Sequence, residues 1–107
     1  MARKKFQTLT EQMYYILLSL TNECCGVDIA QKVKEMTEGA VVIGPGTLYT
    51  LLADFEKEGV IRATKQEGRK KSYLITDEGR GLLLAEYDRL KKQVERGKTF
   101  LEEREFV

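Results

Sequence analysis

Residues 44–79 constrain the fold more than any other part of the chain. They open as Gly44-Pro45-Gly46-Thr47-Leu48-Tyr49-Thr50, pass Gly59, and run through Gly68-Arg69-Lys70-Lys71 to Thr76-Asp77-Glu78-Gly79. Pro is favoured at the first helical position, where its missing N–H is not needed, and Gly44 is a weaker but tolerable cap. Leu48, Leu51, Leu52 and Phe55 recur at helical spacing and make one buried face. Gly59 is the stop, because glycine tolerates the left-handed backbone just past a helix end. Residues 60–64 and 72–75 read as two short strands, joined as a hairpin by Gln66-Glu67-Gly68-Arg69. A helix that begins in small hydroxylated residues, beside a cationic hairpin, suits entry into a DNA groove with a grip on phosphate. DNA binding is therefore the leading expectation.

The segments before and after extend this pattern. Thr8 or Thr10 caps a first helix, in which Leu9, Met13, Ile16, Leu17 and Leu20 form an apolar stripe. Residues 21–26 break it. A second helix opens near Asp28, carries Ile29, Val33 and Met36 on one face, and ends at Glu38-Gly39. Residues 40–43 are a short apolar link. Thr76 to Gly79 caps a last helix running to about Glu105, with Asp77 and Glu78 favourable at its positive end. Along it Leu83, Tyr87, Leu90, Val94, Gly97 and Leu101 recur at spacings of four and three, a heptad seam interrupted by Gly97. A helix this long, apolar on one stripe and charged elsewhere, needs a partner, and self-association is the expectation.

Composition narrows the class. The 107 residues suffice for one domain, or a small domain with an appendage, and 42% apolar with 33% charged content is globular rather than disordered. No apolar run approaches the ~20 residues of a membrane span, and the basic start, Arg3, Lys4 and Lys5, lacks the apolar core of a signal peptide. A cytoplasmic location is the default. The net charge of +1 hides an uneven distribution. Residues 62–73 hold five basic side chains and one acidic, whereas residues 76–107 hold seven basic and eight acidic. Cys24 and Cys25 are adjacent, which disfavours an unstrained disulfide. With no His in the chain they offer no tetrahedral metal site. No cofactor is expected. An enzyme is not expected either, for lack of a Gly-rich phosphate loop or a nucleophile paired with a base.

Three helices followed by a two-stranded hairpin is the winged helix-turn-helix layout, a mainly α fold of the α+β type. Here the sequence resembles the PadR family of bacterial transcriptional regulators. The resemblance rests on Gly46-Thr47-Leu48-Tyr49, Leu52, the run from Phe55 to Ile61, Gly68-Arg69-Lys70-Lys71, Tyr73, Ile75-Thr76 and Gly79, and covers roughly residues 9–84. It is similar to the short members that end in a single dimerising helix. The expected organisation is a DNA-binding domain over residues 1–75 and a dimerisation helix over residues 76–107. The chain departs from the family at Gly44, where Ser is frequent, at Asp54, where Arg is frequent, and at Cys25-Gly26-Val27, where Tyr-Gly-Tyr is frequent.

The site residues follow. Gly46, Thr47, Tyr49 and Thr50 are expected at the duplex, with Ala53 beside them. The two threonines suit base edges or phosphate, and the Tyr49 ring suits either a phosphate contact or packing on the second helix. Arg69, Lys70 and Lys71 suit phosphate or the minor groove. Lys32 and Lys34 suit phosphate or a solvated face, and Arg3, Lys4 and Lys5 suit a backbone-tracking arm. Leu83, Tyr87, Leu90, Val94 and Leu101 are the expected homodimer interface, giving a pseudo-palindromic operator in double-stranded DNA. The resemblance implies repression relieved by a small aromatic or hydrophobic ligand, for which Tyr14, Tyr15, Tyr87 and Phe100 are candidate walls. The alternative is a winged-helix protein-interaction module that does not bind DNA.

Overall fold

The computed structural model describes residues 8–103. The chain runs α1 (Glu11–Ser19), β1 (Cys24–Cys25), α2 (Gly26–Met36), α3 (Pro45–Lys57), β2 (Ile61–Glu67), β3 (Lys70–Ile75) and α4 (Asp77–Glu103). Thr10 is the cap of α1: its hydroxyl accepts from Met13 N–H, while its own N–H reaches Met13 Sδ. Leu9, Ile16, Leu17 and Leu20 from this stripe are buried, and Met13 packs half-buried against them. Ile29 and Val33 of α2 and Leu48, Leu52 and Phe55 of α3 close the same core. Met36, the last residue of α2, is exposed. Helical spacing sets the direction of a face but not how far its neighbours extend beneath it. Among the described residues no helix is long and apolar enough to cross a membrane.

The end of α3 is built as the sequence predicts. Val60 N–H bonds Phe55 C=O at 2.8 Å, Gly59 N–H bonds Glu56 C=O at 3.1 Å, and Gly59 takes φ +77°. These are the two hydrogen bonds of a Schellman motif, with the buried pair Val60 and Phe55 as its apolar contact. Val60 C=O then receives the start of α4. It accepts from Thr76 N–H at 3.0 Å and lies 2.9 Å from the Thr76 hydroxyl, which is also 2.7 Å from Gly59 C=O. That hydroxyl accepts Gly79 N–H at 3.0 Å, capping α4. Gly79 rests on the same carbonyl: a Cβ built there would stand 2.1 Å from Val60 O and 2.7 Å from Ile75 Cγ1. The glycine is required for room.

The sheet has three antiparallel strands in the order β1-β3-β2. The third, β1, is absent from the sequence reading. Two residues are too few to show an alternation, and its pairing of Cys24 with Tyr73 and Cys25 with Ser72 is set by tertiary contact. The wing strands are also longer than the sequence suggests. Glu67 pairs with Lys70, so the turn is only Gly68-Arg69, and Gly68 takes φ +62°. A glycine of positive φ at the first of two loop residues is the type II′ pattern, whose twist matches that of the strands. Thr64 is bulged out of the ladder between Ala63 and Lys65, and its hydroxyl donates to the Glu23 carboxylate. Ile75 N–H bonds Leu20 C=O at 2.8 Å, tying β3 to the end of α1.

The first three turns of α4 pack on this body. Leu82, Leu83 and Glu86 are buried, so the packing continues past residue 75. Leu83, expected on a dimer seam, belongs to the protomer's own core. Glu86 is a buried carboxylate gripped by Arg89 through two bonds of 3.0 and 2.5 Å. The Arg89 hydrogen bonds, helped by its charge and by Leu9 N–H, hold the Glu86 pKa below its ordinary value despite burial.

Two outcomes follow from this packing. Gly79→Ala is expected to cost about 3 kcal/mol or more, since backbone blocks the added methyl group, and urea unfolding measures it. Because the folded-state pKa of Glu86 is lowered, its contribution to stability is present above its ordinary value near 4.5 and is lost as pH falls through the lower folded value. Glu86→Gln should therefore flatten the acid side of the stability profile below about pH 5 and leave its slope near neutrality unchanged.

Candidate nucleic-acid interface

The link between α2 and α3 turns the start of α3 outward. Thr37 caps the end of α2, and Glu38 and Gly39 take the left-handed conformations that reverse the chain. Val41 and Ile43 anchor the link in the core while Val42 points out. Pro45 then starts α3, and Leu48, Leu52 and Phe55 face inward. The opposite face is left to solvent: Gly46, Thr47, Tyr49, Thr50 and Ala53 are all exposed. Gly44 supplies no side-chain cap, so N–H groups at the start of α3 stay available to an anion. Tyr49 packs against the start of the second helix and keeps one side in solvent. The residue is 46% exposed, yet its ring edge lies over Gly26 at the start of α2.

The wing stands beside this face. Arg69 and Tyr49 line one cleft, so the wing tip and the start of α3 meet on one side of the molecule. Arg62, Lys65, Arg69 and Lys70 are exposed. Lys71 differs from its neighbours. Its ammonium is 3.3 Å from Glu56 on α3 and 5.6 Å from the centre of the Tyr73 ring. It is half-buried and braces the wing against α3, so the free end of the wing presents Arg69 and Lys70.

Lys32 is also taken. Its ammonium donates to Ser19 C=O at 2.9 Å, securing the end of α1, whereas Lys34 is exposed. The sequence shows a lysine on a helix and cannot show which carbonyl lies above it. Asp54 is half-buried and engaged with neighbouring groups. Arg3, Lys4 and Lys5 lie outside the described residues. Cys24 and Cys25 are half-buried free thiols, and burial pushes the Cys24 pKa up, away from reactivity.

The C-terminal residues separate into two sets. Tyr87, Val94 and Leu101 are exposed along α4, with Val94 at 70%, and Leu90 is half-buried. Among the candidate ligand walls, Tyr14 and Tyr87 share an apolar groove of about 230 Å³ floored by Leu18 and Leu83. Tyr15 lies edge-on to Tyr14, ring centres 5.8 Å apart, and faces a second groove with Glu86 and Arg89. Phe100 is about 20 Å along the helix from Tyr87, at ~1.5 Å per residue. Within one protomer the four aromatics therefore do not surround one space.

A helix-turn-helix with its second helix outward, flanked by a cationic wing, defines a winged-helix DNA-binding regulator. The comparisons with known proteins agree. The profile of the transcriptional regulator PadR-like family matches residues 16–85. RosR of H. salinarum superposes with a TM-score of 0.69 at 21% identity, over 92% of this chain and 94% of its own. A transcriptional regulator from Clostridium thermocellum gives 0.70 at 24% identity, over 88% and 99%. NadR in complex with 4-hydroxyphenylacetate gives 0.57 at 20% identity, over 96% and 74%. No curated protein sequence matches the chain. The chain belongs to the PadR-like family of transcriptional regulators, which are not enzymes.

Proposed function

We propose that the protein is a cytoplasmic, homodimeric repressor that binds a pseudo-palindromic operator and leaves it when a small aromatic or hydrophobic ligand binds. The observation that carries DNA recognition is the shared face of α3 and the wing. Thr47 and Thr50 are exposed on the same helix as Tyr49, which shares a cleft with Arg69 of the wing. Side chains of this length reach base edges when a helix start enters the major groove, and the Thr50 methyl suits a thymine methyl. The wing cations supply affinity and register through phosphate.

Dimerisation is supported by the outer half of α4. Beyond Leu90 no element among the described residues covers the helix, yet Val94 and Leu101 continue the apolar seam that includes Tyr87. A second copy of the helix buries that stripe and spaces two recognition helices across a two-fold operator. The groove between Tyr14 and Tyr87 adjoins the same seam, so a ligand held there would bear on the spacing of the two subunits. The neighbour NadR holds 4-hydroxyphenylacetate, a molecule of the class proposed.

Removal of Arg69 and Lys70 together is expected to reduce the slope of log K against log salt by about 2, close to 0.9 per phosphate contact, for every duplex alike. Thr50→Val should instead change the preference among sequences by roughly 1–3 kcal/mol. A salt slope unmoved by the double change, or no binding of duplex at all, favours the protein-interaction module. Leu90→Glu with Val94→Glu is expected to give a monomer by sedimentation. That monomer should bind a full operator far more weakly, because the second half-site loses its effective-concentration gain.

A further inference from the structure

Gly26 opens α2 with no side chain, and two tyrosine rings close on it. A methyl group placed there would lie 3.6 Å from Tyr49 Cε1 and 3.5 Å from Tyr73 Cε2. With Val27, Arg69 and Lys71, these residues line a cleft of about 220 Å³ between the starts of α2 and α3 and the wing. Tyr73 is 7% exposed. Buried tyrosine hydroxyls normally find a hydrogen-bond partner, but none among the described residues pairs with this one. The oxygen is therefore not sealed inside the protein, and Tyr73 is one of the residues that line the cleft.

The rest of the cleft is suited to an anion. Cys25 gives α2 no side-chain cap, so the first-turn N–H groups of the helix lack that partner. Lys71 is held over the Tyr73 ring by Glu56, and Arg69 closes the outer side. Asp28, the acid in the first turn of α2, lines the neighbouring hollow with Cys24 and Cys25 instead. Two tyrosines, a helix start, Arg69 and the Lys71–Glu56 pair meet between α2, α3 and the wing.

We infer that this cleft seats one phosphodiester of each DNA half-site, with the Tyr73 and Tyr49 hydroxyls and the start of α2 as donors and Arg69 as the closing cation. The inference rests on the DNA-binding reading above and adds Tyr73 and Gly26 to the interface. Phosphate seated in this way locks α2, α3 and the wing onto one stretch of backbone and thereby sets how deeply Thr47 and Thr50 enter the groove.

Tyr73→Phe keeps the ring and removes the donor. It should lower affinity for any duplex about tenfold, as expected for a hydrogen bond to a charged group. The salt slope should stay unchanged, because a neutral donor releases no counterion. A scan of the wild-type protein against duplexes carrying single methylphosphonates should find one sensitive phosphate per half-site, and its effect should not add to that of Tyr73→Phe. Equal duplex affinity of Tyr73→Phe and wild type, or additive effects at every phosphate, overturns the inference while leaving DNA binding intact. Wild-type protein that binds no duplex overturns the DNA reading itself. Inorganic phosphate that competes at concentrations too low to screen the duplex would show a free-anion site and overturn the assignment to DNA.

Discussion

The carbonyl of Val60 holds three elements together. It follows the turn that ends α3, it begins the wing, and it accepts the Thr76 N–H that starts α4. Gly79 lies directly against it, closer than any residue with a side chain could. A buried carbonyl must find donors, and meeting that need here fixes the angle between recognition helix, wing and C-terminal helix in a single contact. In a dimer joined through α4, this contact would relate the recognition helix of one subunit to that of the other. Movement at the helix seam would reach the DNA face through two hydrogen bonds and a close packing contact, with no flexible linker between.

The basic residues divide by role in a way that charge counting does not show. Lys32 secures the end of α1, Lys71 braces the wing on α3, and Arg89 satisfies a buried carboxylate. Each is held by a specific oxygen and so serves the fold first. Arg62, Lys65, Arg69 and Lys70 remain at the surface of the wing. The wing therefore concentrates its unengaged positive charge in a few side chains on one hairpin.

Helix α4 changes character along its length. Its first turns belong to the core, as Leu82, Leu83 and the Glu86–Arg89 pair show, and its outer half carries an apolar seam that nothing among the described residues covers. The heptad spacing runs through both halves, with Gly97 its one gap, since packing within a subunit and packing between helices ask for the same periodicity. Periodicity alone therefore placed Leu83 with Val94, although one faces its own core and the other solvent.

Much of this protein was legible in the chain itself. Pro45 and Gly59 bound the recognition helix because their backbone preferences are local. The stripes of α1 and α3 point inward because helical spacing leaves one apolar face. The basic hairpin follows from residues adjacent in sequence. Contacts between distant residues were not legible: β1 pairing with β3, Lys32 reaching Ser19, and the approach of Tyr73 to Gly26 across 47 positions. Local propensity acts over a few residues and can be read from them. The partner of a polar group is chosen only when the whole chain has packed, and that choice separated bracing cations from exposed ones.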